Sequence, residues 1–338
     1  MKRTVTYIIP VFAALCLAAS CHQIEFDLGN AGSLTQMYLE SVVSASDTTF
    51  LFFRRALPLG ADRTAEEDST FPEDYTMEQV EVRADGRDVP VFRKDKTHWY
   101  FTGNYAPGTE ISLTARPARF DPVSARTTVP EPPVIRKIKT GIDGGLGSPA
   151  VRIEFSLAGE VSSRDRFALV VRMESTEKTY APDGSLVSHR KDTSYLSYTK
   201  ILEDQYMERV MPGRSRISLE YPLDGRKRVP LLLLHSADIP DGVLSERYPT
   251  RYDQEVKYDD GSRKTLSYRF RGSLYRLSPE LYNYLAAQYN NGHSNSTPYG
   301  LSPVNSTYSN ISGGYGIFGA LSTPAETPWL NNPDMPLP

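Results

Sequence analysis

Apolar and polar residues alternate along the first third of the chain, which is the pattern of strands that bury one face. The alternation occurs in residues 36–43 and 80–82, whereas 48–54 is a dense apolar run, and an Asp85-Gly86 pair follows residue 82. Asp-Gly between alternating segments favours a tight hairpin turn, because both central turn positions need positive φ. About six or seven such short segments in roughly 100 residues are typical of a β-sandwich.

A proline-rich segment, Val-Pro-Glu-Pro-Pro at 129–133, divides the chain into two parts. Proline continues neither a helix nor a strand ladder, so this segment indicates a stiff connector. We predict an immunoglobulin-like β-sandwich over 34–130 and a larger β domain over 134–321. In the second domain, the apolar run 231–234 is typical of a strand buried on both faces. Its hairpin turns are predicted at Asp183-Gly184, Asp224-Gly225 and Asp260-Gly261.

One helix is predicted inside the second domain, over residues 278–290. Ser278 suits the N-cap, Pro279 suits the first helical position, and Glu280 complements the positive end of the helix dipole. Apolar side chains then recur at helical spacing until an Asn-Asn-Gly sequence ends the segment. The predicted fold class is therefore mainly β, with one C-terminal helix.

The last part of the chain combines a glycine-rich segment with a polar tail. We predict a closing strand over 313–318, in which glycine permits a bulge or the close approach of another backbone while Ile317 and Phe318 pack. A phosphate-binding loop is not indicated, because no Lys-Ser/Thr follows the glycines and no GxGxxG opens a helix. Residues 322–338 are predicted to be a disordered tail.

The first residues have the composition of an export signal. Lys2 and Arg3 give a positive start, an apolar run covers 5–19, and small residues lead into Cys21. The run of about 15 residues is shorter than the roughly 20 that a membrane-spanning helix needs. This length favours a cleaved signal peptide over residues 1–20, with an uncleaved membrane anchor as the alternative.

The sequence Ala-Ala-Ser-Cys at the end of this segment resembles the lipobox of lipoprotein signal peptidase, although Ala18 stands where leucine is usual. Cys21 is therefore the predicted lipidation site, and 21–33 is a short tether. The chain has two cysteines, and cleavage removes Cys16, so we expect no thiol catalysis or cysteine metal site in the mature protein. The net charge of −3, without a basic stripe, argues against nucleic acid as a partner.

Four features recur together in one known family. They are the lipoprotein cysteine with its short acidic tether, the link at 125–133, the Leu-Ser-Pro-Glu-Leu-Tyr-Asn-Tyr-Leu helix at 277–285, and the closing motif at 303–319, where Tyr315 replaces a more usual leucine. In these features the chain resembles the Bacteroidetes lipoproteins of the domain of unknown function 4249 family. The resemblance implies an outer-membrane accessory protein that works beside a TonB-dependent receptor in nutrient uptake. This implication rests on the association of family members with such receptors.

Histidines, serines and acids show no catalytic or metal-binding pattern. No two histidines are four residues apart, no HExxH motif is present, and no serine lies in a GxSxG elbow. Acidic residues are plentiful, but a sequence does not pair them as a glycosidase needs. We therefore expect no catalytic residue, no metal site and no cofactor. The five histidines are His22, His98, His189, His235 and His293.

Tyrosine is concentrated in the second part of the chain, because 16 of its 21 copies lie from Tyr180 onward. Tyrosine offers a large rigid contact area with one polar tip and is enriched at interfaces. The polar segment 238–260 is therefore the predicted contact surface for a ligand or partner, and the alternative is that its tyrosines are half-buried strand residues. The candidate contact residues in this segment are Tyr248, Arg251, Tyr252 and Tyr258.

Two short motifs resemble the O-glycosylation pattern of exported Bacteroidetes proteins. Asp47-Thr48-Thr49 makes Thr48 one candidate sugar site, and Asp68-Ser69-Thr70 makes Ser69 the other.

Three functions stay open at this point. A non-catalytic binding protein at the outer membrane, facing either the cell surface or the periplasm, is favoured by the anchor and the β scaffold. It predicts a shallow tyrosine-lined surface. A surface hydrolase of glycan or peptide predicts a deep pocket with paired acids or a histidine–acid pair. A structural or adhesive envelope protein predicts that the closing glycine strand is an open sheet edge.

Overall fold

The computed structural model describes residues 36–45, 47–56, 76–118, 120–143, 149–196, 217–219, 223, 229–293 and 308–331. In this part of the chain the secondary structure is mainly β, with several sheets and one α-helix near the C-terminus. The predicted fold class, two β-sandwich-like domains with one C-terminal helix, is confirmed. Cys21, the signal peptide and the tether lie outside the described residues.

The first sandwich contains the first eight strands of the chain. They are β1 (Gln36–Ser44), β2 (Thr48–Ala56), β3 (Met77–Ala84), β4 (Arg87–Val89), β5 (Val91–Arg93), β6 (His98–Thr102), β7 (Glu110–Pro117) and β8 (Val123–Thr128). One sheet has the order β1-β2-β6-β5 and the other has the order β4-β3-β7-β8. Alternate side chains of both sheets enter one core, in which Phe53, Phe101 and Ile111 are fully buried.

The second sandwich contains the next nine strands. They are β9 (Ile135–Asp143), β10 (Ala150–Leu157), β11 (Arg166–Tyr180), β12 (Leu186–Leu196), β13 (Ile217–Leu219), β14 (Val229–His235), β15 (Val243–Pro249), β16 (Gln254–Lys257) and β17 (Arg263–Arg276). The smaller sheet has the order β15-β10-β9, and the larger has the order β13-β14-β11-β17-β16 with β12 also paired to β11. Phe155, Phe167 and Phe270 fill the core between them.

The chain ends with a helix and three strands. They are α1 (Pro279–His293), β18 (Gly314–Leu321), β19 (Ala325–Glu326) and β20 (Leu330–Asn331). The Ser278 Oγ accepts the backbone N–H of Leu281 at 3.4 Å, which confirms Ser278 as the N-cap and Pro279 as the first helical residue.

Strand β18 returns to the first sandwich and runs parallel to β1. At Gly316 the backbone has φ of 116°, and a Cβ atom there would lie 1.9 Å from the carbonyl oxygen of Leu39. Only glycine allows this approach of two backbones. Ile317 and Phe318 are 1% and 0% exposed on opposite faces of the strand, so the predicted packed closing strand is confirmed.

The outer edge of β18 is covered by two polar side chains. The Asn310 amide oxygen accepts the N–H of Phe318 at 2.9 Å, and the amide nitrogen donates to the carbonyl oxygen of the same residue at 2.8 Å. The Ser278 Oγ also accepts the N–H of Ala320 at 3.1 Å. These bonds occupy backbone groups that would otherwise be free to pair with another strand.

A third apolar core lies between the two sandwiches. Leu281 and Leu285 of α1 pack in it with Ile317 of the first sandwich and with Val170 and Leu231 of the second. Strand β14 thus buries alternate leucines in two different cores, as its continuous apolar run predicts. The helix therefore joins the two sandwiches instead of belonging to one of them.

The structure differs from the sequence-based segmentation at two places. Residues 314–321 were expected in the second domain of 134–321, and they form a strand of the first sandwich because β18 pairs with β1. Disorder was expected over 322–338, yet β19 and β20 pair with β17. Between them Thr327 exchanges hydrogen bonds with the Gly272 backbone at 2.9 and 3.0 Å, which holds this part of the tail on the sheet.

Candidate functional site

Strand β2 carries large rings on the outer side of the first sandwich. Thr49, Leu51 and Phe53 are fully buried, so the intervening Phe50 and Phe52 point away from the core and are half-exposed. The sequence Thr-Phe-Leu-Phe-Phe thus has a buried side that is partly aliphatic and an outer side that is aromatic. An aromatic outer side is unusual for a strand that faces solvent.

The neighbouring strands β6 and β5 extend this outer side, because residues in register across a sheet share a face. Phe50 lies opposite Tyr100 with ring centroids 6.1 Å apart, and Phe52 lies opposite His98 at 5.0 Å. Phe92 lies opposite Tyr100 and stacks on its ring at 5.4 Å. We call these five side chains, Phe50, Phe52, Phe92, His98 and Tyr100, the aromatic face.

Charged groups border the aromatic face at the turn between β5 and β6. The Lys94 ammonium lies 5.5 Å from the centroid of the Phe50 ring, which is a cation–π distance. The Asp95 carboxylate accepts the backbone N–H groups of Thr97 and His98, each at 2.8 Å, and contacts the His98 Nδ1 at 2.7 Å. Partial burial would raise the pKa of Asp95, but these hydrogen bonds outweigh it and lower the pKa to about 2.

This arrangement has the properties of an interaction surface. Phe92 is 47% exposed, and its neighbours on the face are partly exposed. Contiguous exposed aromatic groups bordered by polar residues mark sites that bind another molecule, because their burial removes apolar area from water. The rings are also rigid, so binding orders few rotatable bonds.

The His98–Asp95 contact is the histidine–acid pair that a hydrolase would need, but its geometry is that of a structural turn. Asp95 closes the turn through the backbone N–H groups, and it also accepts from the Thr97 hydroxyl at 3.0 Å. The His98 ring packs edge-on against Phe52 with an interplanar angle of 88°. The pair therefore holds the rim of the aromatic face.

The four residues predicted from the tyrosine-rich segment do not form one surface. Tyr248 is 2% exposed and packs in the core of the second sandwich, so it is removed from the candidate contact residues. Its strand, β15, buries alternate residues, and Tyr248 lies on the buried side. Arg251 is exposed and Tyr252 is half-buried in the segment after β15, whereas Tyr258 is 48% exposed at the tip of the β16–β17 hairpin.

The other predicted sites are mostly outside the described residues. Cys21 and Ser69 lie there, whereas Thr48 begins β2 and its N–H donates to the Asp47 carboxylate at 2.6 Å. Within the described ranges no group of three or more His, Cys, Asp or Glu side chains is placed to hold a metal ion. No helix in the same ranges is both long and apolar enough to cross a bilayer.

Sequence reasoning missed the aromatic face because its members come from three strands. Residues 50–53 appear in the sequence as one apolar run, Phe92 appears as an isolated aromatic, and Tyr100 appears inside the aromatic run 99–101. The sequence did contain one signal, the two-residue spacing of side chains that share a strand face. Phe50 and Phe52 share one side of β2, and His98 and Tyr100 share one side of β6. Only the strand register brings these pairs together.

A search of curated proteins finds no match to this chain. Among solved structures, a Bacteroides ovatus protein from a mixed-linkage glucan utilization locus, SGBP-B in complex with a mixed-linkage heptasaccharide, aligns at 8% identity and a TM-score of 0.19, over 48% of this chain and 45% of that chain. A calcium-binding mutant of Bacteroides uniformis β-glucuronidase 2 aligns at 11% identity and a TM-score of 0.13, over 68% of this chain and 24% of that chain.

A further Bacteroides uniformis β-glucuronidase structure aligns at 13% identity and a TM-score of 0.12, over 68% of this chain and 24% of that chain. The chain thus spans less than half the length of each of these structures. Because every TM-score is far below 0.5, we infer neither fold nor function from them. In contrast, the family model described as Domain of unknown function (DUF4249) matches residues 22–326.

Proposed function

This chain belongs to the family described as Domain of unknown function (DUF4249), and we propose that it is a lipid-anchored protein of the outer membrane that binds a partner protein without catalysing a reaction. The partner is a TonB-dependent receptor, and the joint role is nutrient uptake. The observation that carries the proposal is the aromatic face of the first sandwich, a set of adjoining, partly exposed rings that a partner could cover.

The position of the aromatic face in the chain supports a partner in the same membrane. Lipid on Cys21 would hold the chain at the bilayer, and β1 begins at Gln36. About 15 residues span roughly 50 Å at most, since an extended chain advances about 3.3–3.6 Å per residue. The first sandwich is therefore tethered near the membrane, within reach of the exposed part of a membrane-embedded receptor.

Co-purification from detergent-solubilised membranes of the native host tests this proposal. The wild-type protein should retain a TonB-dependent receptor, and a Phe92→Ser/Tyr100→Ser variant should retain at least about tenfold less, because interface aromatics commonly carry more than 1 kcal/mol each. Val187→Ser is the matched control, since Val187 is 65% exposed on β12 of the other sandwich. Recovery of wild type without a receptor, or equal loss in the control variant, would contradict the proposal.

The two alternative functions gain little from the structure. The histidine–acid pair expected of a glycan or peptide hydrolase lies on an open face, where Asp95 serves the turn. The structural or adhesive alternative required an open edge at the glycine strand, and Asn310 and Ser278 occupy that edge of β18.

A further inference from the structure

A cleft of about 480 Å³ lies on the outer face of the larger sheet of the second sandwich, away from the aromatic face. Strands β11, β12 and β17 form its floor, and the end of the tail forms one wall. Its lining residues are Glu174, Thr176, Lys178, His189, Lys191, Asp253, Ser267, Tyr268, Arg269 and Asn331.

Strand register explains why polar side chains meet in this cleft. Lys191 of β12 lies opposite Thr176 of β11, and Thr176 lies opposite Ser267 of β17. One step along the same face, His189 lies opposite Lys178. Because alternate residues of a strand share a face, these five side chains project to the same side of the sheet.

The two acids in the cleft are already engaged by neighbouring donors. Glu174 accepts from the Arg172 guanidinium at 2.8 Å and from the Arg269 Nε at 2.7 Å. Asp253 accepts the backbone N–H of Tyr268 at 2.9 Å. Both carboxylates are therefore held by hydrogen bonds to neighbouring groups, and two arginines neutralise the charge of Glu174.

Three basic side chains of the cleft are not engaged in this way. Among the described residues, Lys178, His189 and Lys191 have no carboxylate within ion-pair distance. Lys178 and Lys191 are diagonal neighbours across the β11–β12 pair, and their like charges repel, so both gain from an anion placed between them. The Thr176 and Ser267 hydroxyls add neutral donors on the same floor.

Trp329 gives the wall next to this floor a fixed shape. Its ring centroid lies 4.4 Å from the Arg269 guanidinium, 4.5 Å from that of Arg271 and 5.7 Å from that of Arg172. These cation–π contacts hold Arg269 at the border of the cleft, where it also binds Glu174. A positioned guanidinium and two lysines then surround the same open volume.

We infer that this cleft binds an oxyanion, a carboxylate, sulfate or phosphate group carried by a small polar ligand. Charge complementarity is the reason: the chain has a net charge of −3, yet Lys178 and Lys191, which have no ion-pair partner among the described residues, line one cleft together with hydroxyl donors. The inference is independent of the proposed partner, because the two surfaces share no residue and lie on different sandwiches.

Inorganic phosphate is the probe for this inference, observed by 31P NMR with the full-length protein in a phosphorus-free detergent. Binding should broaden the phosphate signal and saturate with a Kd on the order of 1 mM. The Lys178→Gln/Lys191→Gln variant should weaken this binding by at least about tenfold. The Arg190→Gln variant is the matched control, because it removes a cation from the opposite face of β12 and should change binding less than about twofold.

Competition distinguishes the sources of the oxyanion. Displacement of phosphate by sulfate but not by acetate would assign a tetrahedral anion. Displacement of phosphate by acetate would assign a carboxylate. Glycerol, which carries no charge, should not displace phosphate. A Lys178→Arg/Lys191→Arg variant should retain binding, which separates charge from a folding defect. The inference is overturned if wild type shows no saturable binding, if the double glutamine variant binds as wild type does, or if Arg190→Gln loses binding equally.

Discussion

Single residues in this protein link distant parts of the chain, and Trp329 is the clearest case. It lies in the tail, in a segment rich in proline and polar residues, yet it is half-buried among three arginines of the larger sheet. Glu174 pairs with Arg172 and Arg269, and Glu326 pairs with Arg271. The ring thus packs against planar cations whose charge is offset in part by two carboxylates, which lowers the cost of desolvation.

Replacement of Trp329 by alanine should release the end of the chain from the sheet. We expect a loss of about 2–3 kcal/mol in the free energy of unfolding, below the cost of removing a fully buried tryptophan. Hydrogen exchange of the Thr327 amide, which donates to the Gly272 carbonyl oxygen, should become faster. Trp329→Phe is the control and should lose less, since it retains an aromatic ring. Unchanged exchange in Trp329→Ala would show that the ring does not hold the tail.

Asp95 gives a prediction about acid stability. Its folded pKa of about 2 lies below the ordinary value of 3.8, so its charged form favours the folded state. The stabilisation is complete above about pH 4 and is lost as pH falls through about 2. Because the side chain is 48% exposed, we expect less than about 1 kcal/mol.

The Asp95→Asn variant isolates this charge, since asparagine keeps an oxygen that accepts from the backbone of the turn. Its urea midpoint should lie below that of wild type at pH 7, and the difference should shrink as the pH is lowered from 4 toward 2. A difference that is constant over this range would show that the carboxylate charge contributes nothing.

Residue types near a backbone turn were predictable from the sequence, because their effects are local. Ser278 caps α1 as expected, and Asp85 and Gly86 both have positive φ, 47° and 75°, as a tight Asp-Gly hairpin turn requires. The sequence predicts less well which side of a strand faces the core. Tyr248 occupies the buried side of β15, and only the packing of the two sheets decides which side that is.

At the scale of elements, β18 is a strand whose presence the sequence predicted but whose pairing it did not. Its glycines indicated close backbone approach, and its burial was expected, but the partner strand was not. Met37 of β1 pairs with Gly314, from opposite ends of the chain, and parallel neighbours of this kind leave no turn signal between them. The aromatic face depends on register in the same way, since Phe50 and Tyr100 meet only through the β2–β6 pairing.

Gly316→Ala should break the β18–β1 pairing. The new Cβ would combine an unfavourable φ of 116° with a clash at 1.9 Å against backbone, so we expect at least about 3 kcal/mol of destabilisation. Gly184→Ala is the control: its φ is 85°, but nothing lies within 4 Å of the added atom. This variant should cost only about 1–2 kcal/mol. Equal effects in thermal unfolding would mean that the close approach is relaxed in solution.

For the whole molecule, the proposed lipid anchor on Cys21 would set where the two sandwiches act. Dozens of buried methylenes at roughly 0.8 kcal/mol each would hold the chain on the bilayer. We therefore expect Cys21→Ser to move the protein from the membrane fraction to the soluble fraction, and mass spectrometry of wild type to show diacylglycerol on Cys21. Cys16→Ser is the control, since the expected cleavage before Cys21 would remove that residue. Membrane retention of Cys21→Ser would remove the basis for an outer-membrane partner.

The third core makes the two sandwiches one cooperative unit. Helix α1 buries Leu281 completely between them, and β18, the next strand described after the helix, pairs with β1 of the first sandwich. Unfolding of either sandwich would therefore expose apolar surface of the other. A chain in which the connector 129–133 were the only link would instead unfold in two steps.

The two tryptophans allow this cooperativity to be measured, because Trp99 lies in β6 of the first sandwich and Trp329 lies on the second. In the Trp329→Phe variant and in the Trp99→Phe variant, the fluorescence of the remaining tryptophan reports one sandwich. In each variant its urea midpoint should equal the midpoint of far-UV circular dichroism, which reports both sandwiches. Adding Leu281→Ala should cost about 2–5 kcal/mol and shift both transitions together. Leu281→Ala would contradict the shared core if it moved one transition and left the other in place, because the helix would then stabilise a single domain.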